Sequence, residues 1–204
     1  MATTYDQLPI FPLARLVLMP GTLLPLHVFE PRYRALVEHC VDGDGFMGVA
    51  TLRSGSEPDP SIYPEIGVGR LVQVNSFPDG RSNIVLEYVQ TAHLVREVQT
   101  TEPFRVVLAH GHTVEQDAID RPISELRRLL AQLGMLSSVT RDELAVLSAL
   151  PDNELMDDLA VRLLRTDVER RRYTVMERLS ERGNALVEQL AISLAGLSPV
   201  VGEA

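Results

Sequence analysis

The chain has no lysine: all 19 of its basic residues are arginine. A P-loop needs a lysine to reach the β- and γ-phosphates of a nucleotide. A Ser-Lys dyad and a Schiff-base amine need one too, so these three chemistries are excluded from this chain. Cysteine is nearly absent as well. Cys40, the single thiol among 204 residues, excludes an internal disulfide framework, fits a reducing cytoplasm, and reads as a buried small hydrophobe. Positive charge is short overall, with a formal net charge of −9. Residues 1–118 carry 8 Arg against 14 acids and residues 119–204 carry 11 against 14, so neither half is basic. Nucleic acid and anionic membrane surfaces are therefore not expected partners. Internal repeats and low-complexity tracts are also lacking.

What is present is an ordinary globular balance, 45% hydrophobic and 23% charged, sufficient for a sizeable core. The oiliest stretch comes early. "FPLARLVLMPGTLLPLHVFEPRYR", residues 11–34, is punctuated by Pro12, Pro20, Pro25 and Pro31. The seven residues "MATTYDQ" lack the positive region of a secretory leader, so none is expected. Arg15 and the recurring prolines also break any apolar run of the roughly 20 residues a membrane span requires. Folded core remains.

The patterning predicts a β-rich half to about residue 118 and a helical half from 119 to 204. "LARLVLMP" reads as a buried strand ending at the Pro20-Gly21 turn, and "LLPLHVF" as a second strand that Pro25 assigns to an edge or bulge. Pro31 suits the first position of a helix that buries Tyr33, Leu36, Val37 and Cys40 and ends at Gly43 or Gly45. "FMGVATL" is a strand and "RSGSEPDPSIYPEIG" a long loop. "VGRLVQVNSF" and "SNIVLEYV" flank the hairpin turn "PDGR", and "AHLVREV" and "FRVVLAH" complete about six strands, as in a small barrel or sandwich. Beyond "TVEQDAIDR" the period becomes helical. One helix from Pro122 buries Ile123, Leu126, Leu129, Leu130 and Leu133, and a Thr140–Glu143 capping box precedes a second. Pro151 and Asp152 open a third, and a longer helical region runs from Asp167 to Leu197 with a joint near Leu179-Ser180.

"LPIFPLARLVLMPGTLLPLHVFEPRYRALVE" resembles the start of the N-terminal domain of Lon proteases and of free-standing proteins made of that domain. The shared pattern is Pro12-Leu13, the run Leu16 to Met19, Pro20-Gly21, Pro25-Leu26-His27-Val28, then the amphipathic segment from Pro31 to Cys40. "IGVGRLVQV" with "FPDGRSNIVLE" is similar to the family's next hairpin, and "LMDDLAVRLL" fits the order of helical elements. The sequence departs after Leu86, where Tyr88 and Thr91 stand at positions expected to hold glycine and arginine. The resemblance implies an α+β fold: an N-terminal PUA-like β pseudo-barrel, then an α-helical bundle. It also implies a substrate-recognition role, without the ATPase and Ser-Lys peptidase modules of the full proteases.

Several residues compete for function. Phe29, Glu30, Arg32 and Tyr33, where the second strand meets the first helix, set aromatics beside opposite charges, a combination suited to gripping an unfolded peptide. The competing reading has Glu30 and Arg32 merely solvating the helix start. His110 and His112, two apart on a strand, project to one face and are the best metal candidates, with a third ligand needed from His27, His39, His93 or a carboxylate. A solvated strand end is the alternative, and no metal or other cofactor is expected. "DGDG" at 42–45 lacks the ligand spacing of a calcium loop and reads as a turn. Ser54, Ser56, Ser61 and Ser76 sit in no nucleophile elbow. Arg170-Arg171-Arg172, spread round a helix, reads as a wet surface with Glu169 and Glu177.

The expected function is thus a cytoplasmic, non-enzymatic module binding unfolded polypeptide or a protein partner, in the setting of protein quality control. An RNA-binding PUA-like protein and a small hydrolase are the alternatives.

Overall fold

The computed structural model describes residues 3–53, 61–136 and 141–196. It divides into two compact units: Met1–Thr113 with Thr166–Val175, and Val114–Arg165 with Met176–Ala204. The boundary expected at residues 118 and 119 falls inside the second unit's first segment.

The first unit holds six strands: β1 (Thr4–Ala14), β2 (Leu23–Val28), β3 (Phe46–Leu52), β4 (Ile62–Ser76), β5 (Ser82–Val98) and β6 (Arg105–Gly111). Their order is β2-β5-β4-β3-β1-β6, with β1 and β3 parallel and the other pairs antiparallel. Because β5 also pairs with β6, the run β5-β4-β3-β1-β6 closes on itself and leaves β2 as an added strand on β5. A 17-residue strand can serve so many neighbours because its register shifts near Leu94, and those of β4 near Val68 and Leu71, bend the sheet. Helix α1 (Pro31–Asp42) follows β2.

Both faces of the barrel wall are buried. Ile10, Ala50, Ile66, Val68, Val107 and Ala109 form one core, while their strand neighbours Phe11, Val49 and Val106 join Tyr33, Leu36, Val37 and Cys40 of α1 in another. Residues 11–34 feed this second core through Phe11, Leu18, Val28 and Tyr33, with Leu13, Leu16, Leu24 and Leu26 packed against it, which accounts for the oily opening. The turn at Gly21 (φ 68°), strands β2 and β3, α1 with its four buried residues, and the hairpin turning at Gly80 (φ 83°) all follow the sequence expectation.

The first strand does not. β1 spans Thr4–Ala14, and Arg15 leaves it at φ 57°, so Leu16 to Met19 is a connection. Leu18 and Met19 are buried there without a ladder. β1 accommodates two prolines because its partners change along its length. It pairs with β6 from Thr4 to Ile10 and with β3 from Ile10 to Ala14. Pro9 and Pro12 each lie where the strand has one neighbour, so a missing N–H need break no ladder bond. The long loop expected at 53–67 is also shorter, since β4 begins at Ile62, while Ser54 and Ser56 lie outside the described residues. "AHLVREV" continues β5 instead of starting a new strand.

The first unit also contains α5 (Asp167–Thr174). The expected 167–197 region is interrupted at 175–178. α5 opens with a capping box in which Thr166 Oγ1 accepts from the Glu169 N–H and the Glu169 carboxylate accepts from the Thr166 N–H. Arg171 is not solvated. It is only 12% exposed, and its Nη1 donates to Glu65 Oε2 at 3.3 Å.

The second unit comprises α2 (Asp120–Leu136), α3 (Arg141–Ala149), α4 (Asp152–Leu163) and α6 (Leu179–Ala195). Ile123, Leu126, Leu129 and Leu130 of α2 are buried as expected, with Leu155, Leu159, Leu186 and Leu190. Arg127 supplies donors to carbonyls at the C-terminal end of α3, at 2.6 Å from Ser148 O and 2.9 Å from Leu150 O, and pairs with Asp152 at 2.8 Å. Asp117 caps α6 by accepting from the Ser180 N–H at 2.8 Å and hydroxyl at 2.5 Å. The expected capping box at Thr140 lies outside the described residues. Among the described residues no helix is long and apolar enough to cross a membrane.

Candidate functional site

Among the described residues β2 pairs with β5 alone, so its second edge offers backbone donors and acceptors. Side chains alternate along a strand. Leu24, Leu26 and Val28 turn inward, while Leu23, Pro25 and His27 turn outward. Phe29 extends the same period. Leu23 is 62% and Phe29 59% exposed, at the two ends of a strip about 20 Å long at strand rise. The His27 ring stacks on Phe29 with centroids 6.1 Å apart, and Phe77, also exposed, lies 6.3 Å from His27. Asn83 on β5 fixes the imidazole, with Oδ1 2.7 Å from His27 Nδ1.

The four residues singled out in the sequence fall on two surfaces. Phe29 belongs to the β2 strip. Arg32 and Tyr33 line a cleft of about 400 Å³ with Pro12, Glu97, Thr100 and Arg105. Glu30 pairs with Arg32 at 2.9 Å, and the Arg32 guanidinium lies 4.5 Å from the centre of the Tyr33 ring. Tyr33 is only 6% exposed and packs on Phe11 at 4.1 Å between centroids, so it lines the cleft without projecting from it. Arg105 and Glu97, joined by two hydrogen bonds, make the opposite wall charged. His27 and Phe77 escaped sequence selection. The odd-numbered period Leu23, Pro25, His27, Phe29 was the available signal for His27, whereas Phe77 reaches the strip only through the β4–β5 hairpin.

His110 and His112 each meet another residue. His110 Nδ1 lies 3.4 Å from Thr4 Oγ1, and His112 Nδ1 lies 3.3 Å from His93 Nε2. His93 titrates below its ordinary range, chiefly because of desolvation and then because of the His112 charge, with Glu65 opposing. Tyr88 and Thr91, which stand where the family pattern differs, meet each other: their hydroxyls are 3.2 Å apart. In "DGDG" Asp42 closes α1, and Gly43 and Asp44 form the turn after it, with Asp44 accepting from the Phe46 N–H.

A profile of the ATP-dependent protease La (LON) substrate-binding domain matches residues 7–190. The chain is 24% identical over 170 residues to Lon protease of Desulfatibacillum aliphaticivorans, covering 79% of this chain and 21% of that protein. It is 27% identical over 138 residues to Lon protease of Parabacteroides distasonis, covering 66% and 16%. It thus spans 21% or less of the length of these curated relatives. The N-terminal domain of Mycobacterium avium complex Lon protease shares its fold with a TM-score of 0.67 and 16% identity, covering 91% of this chain and 98% of that one. A Lon N-terminal domain protein from Xanthomonas campestris gives 0.51 and 24%, covering 82% and 95%. On the extent of the profile match, the chain belongs to the Lon substrate-binding domain family.

Proposed function

We propose that this chain is a non-catalytic recognition module that captures extended apolar segments of unfolded polypeptides by adding them to the free edge of β2. The observation that carries this reading is an edge strand whose outward residues form an apolar and aromatic strip. Backbone groups at such an edge supply affinity for any extended chain, and alternate side chains supply selection. Leu23, Phe29 and Phe77 are the anchors in this reading. Glu30 and Arg32, the charged pair that follows Phe29 in the chain, end the apolar run on that side. The family's description as a substrate-binding domain agrees with this role, and a place in protein quality control follows from it.

The test is fluorescence anisotropy with a labelled, reduced and alkylated polypeptide. Half-saturation in the micromolar range is expected for so small an interface. Replacing Leu23 and Phe29 together by Ser should weaken it at least tenfold, while Val41→Ser, an exposed apolar residue on α1, should not. No anisotropy change at about 100 μM chain would refute the proposal.

A further inference from the structure

The barrel seam where β5 meets β6 carries the unusual side chains of this molecule. In the ladder, Glu65 of β4 stands opposite His93 of β5, and His93 opposite His110 of β6. One residue past β6, the His112 N–H donates to Thr91 O at 2.7 Å, so the backbone holds its imidazole beside that row. The His93 and His112 rings then meet edge to face, with centroids 5.2 Å apart and His93 Nε2 within hydrogen-bond distance of His112 Nδ1 at 3.3 Å, one nitrogen donating and the other accepting. Two imidazoles on one tetrahedral ion, with bonds of about 2.0–2.1 Å, place their nitrogens roughly 3.3 Å and their ring centres roughly 5.2 Å apart. Both separations agree.

We propose that His93 and His112 form a two-imidazole site for a borderline divalent transition-metal ion, zinc, nickel or copper(II), with water filling the remaining positions. Imidazole is the protein donor these ions share. Among the described residues no group of three or more His, Cys, Asp or Glu stands ready around an ion. The site is therefore open and its ion exchangeable. His93 is exposed, which leaves room for the waters. The Glu65 carboxylate, held by Arg171 Nη1 at 3.3 Å, adds negative potential near His93 without serving as a ligand. A bound ion would pin β5 to the segment leaving β6 and so fasten the edge at which the barrel closes.

The experiment is calorimetric titration of the chelator-treated chain with nickel, zinc and copper(II) chlorides. One equivalent should bind with a dissociation constant on the order of 10 μM for nickel, and tighter for copper(II). Binding should be lost near pH 5 as the imidazoles protonate. The thermal midpoint should rise with ion concentration. His93→Gln and His112→Gln should each weaken binding at least tenfold, and His110→Gln should leave it within about threefold of the parent. Circular dichroism shows whether each variant is folded. For a variant that is not, paramagnetic broadening by copper(II) in the parent gives the answer: loss of the His93 and His112 ring signals supports the site, and loss centred on any other histidine overturns it. Absence of saturable binding below 1 mM, parent affinity in both variants, or abolition by His110→Gln would also overturn it.

Discussion

The Arg171 guanidinium lies 3.4 Å from the centre of the Tyr63 ring, joining α5 to β4 across more than a hundred residues of chain. The same side chain pairs with Glu65 at 3.3 Å and approaches Asp167 at 3.9 Å, and it is nearly enclosed. A charge so placed is held by its partners together. Arg171→Ala removes the cation over the ring and leaves Glu65 half-buried without its partner. Loss of about 2–3 kcal/mol is expected, read as a lower denaturant midpoint. Arg171→Lys should recover only part of it, because an ammonium cannot lie flat on the ring.

Gly67 faces Leu18 at close quarters. A Cβ built there would sit 2.7 Å from Leu18 Cβ and 3.0 Å from Leu18 O, and the second of these is backbone that a rotamer change cannot move. Gly67→Ala is expected to destabilise the barrel by about 1–3 kcal/mol, the usual range for overpacking. Thermal unfolding measures it, and a neutral result would show that the 16–19 connection can move aside.

Cys40 is on the buried face of α1, where its Sγ donates to Phe46 O at 3.3 Å. Burial, with a smaller push from Asp44, raises the thiol pKa to about 12. Since the thiolate is the reactive form, Cys40 should resist disulfide reagents at pH 8 in the native chain and react fully in denaturant. Timed thiol titration in both states checks this.

Asp157 on α4 titrates high, about 6, because it is buried; the Arg182 charge pulls the other way and Glu154 adds to the rise. The unfolded carboxyl releases its proton near pH 4. Between about pH 4 and 6 the folded chain therefore binds the extra proton, and this group's contribution to stability falls as pH rises, being lost above 6. Relative to the parent, Asp157→Asn should gain on the order of 1–2 kcal/mol between pH 4.5 and 7.5, a figure reduced for partial solvent screening. Urea midpoints at the two pH values test the sign.

Legibility in the sequence followed the range of the interactions. α1, β2, β3 and the 77–81 turn depend on local pattern and turn chemistry, and they lie where the residues indicate. β1 was obscured because Pro9, Pro12 and the polar Thr4 to Gln7 resemble a non-strand until the change of ladder partner at Ile10 is known. Arg171 resembled one solvated arginine among three, since Tyr63 and Glu65, its partners, lie far away in sequence. Phe29 could be read as part of the candidate surface, but Phe77, which also lies against His27, could not, because only the β4–β5 hairpin brings it there. The adjacency of His93 and His112 is likewise created only by closing the barrel.

Residues 166–175 have a practical consequence for anyone wishing to dissect this molecule. The backbone passes from one unit to the other three times, because α5, with its enclosed Tyr173, is counted with the strands while the segments on either side of it are not. A gene fragment ending at Thr113 would therefore omit a piece of the body it was meant to isolate. A stand-alone barrel would require a spliced reading frame that restores the ten missing codons, and stopping translation early would not supply it.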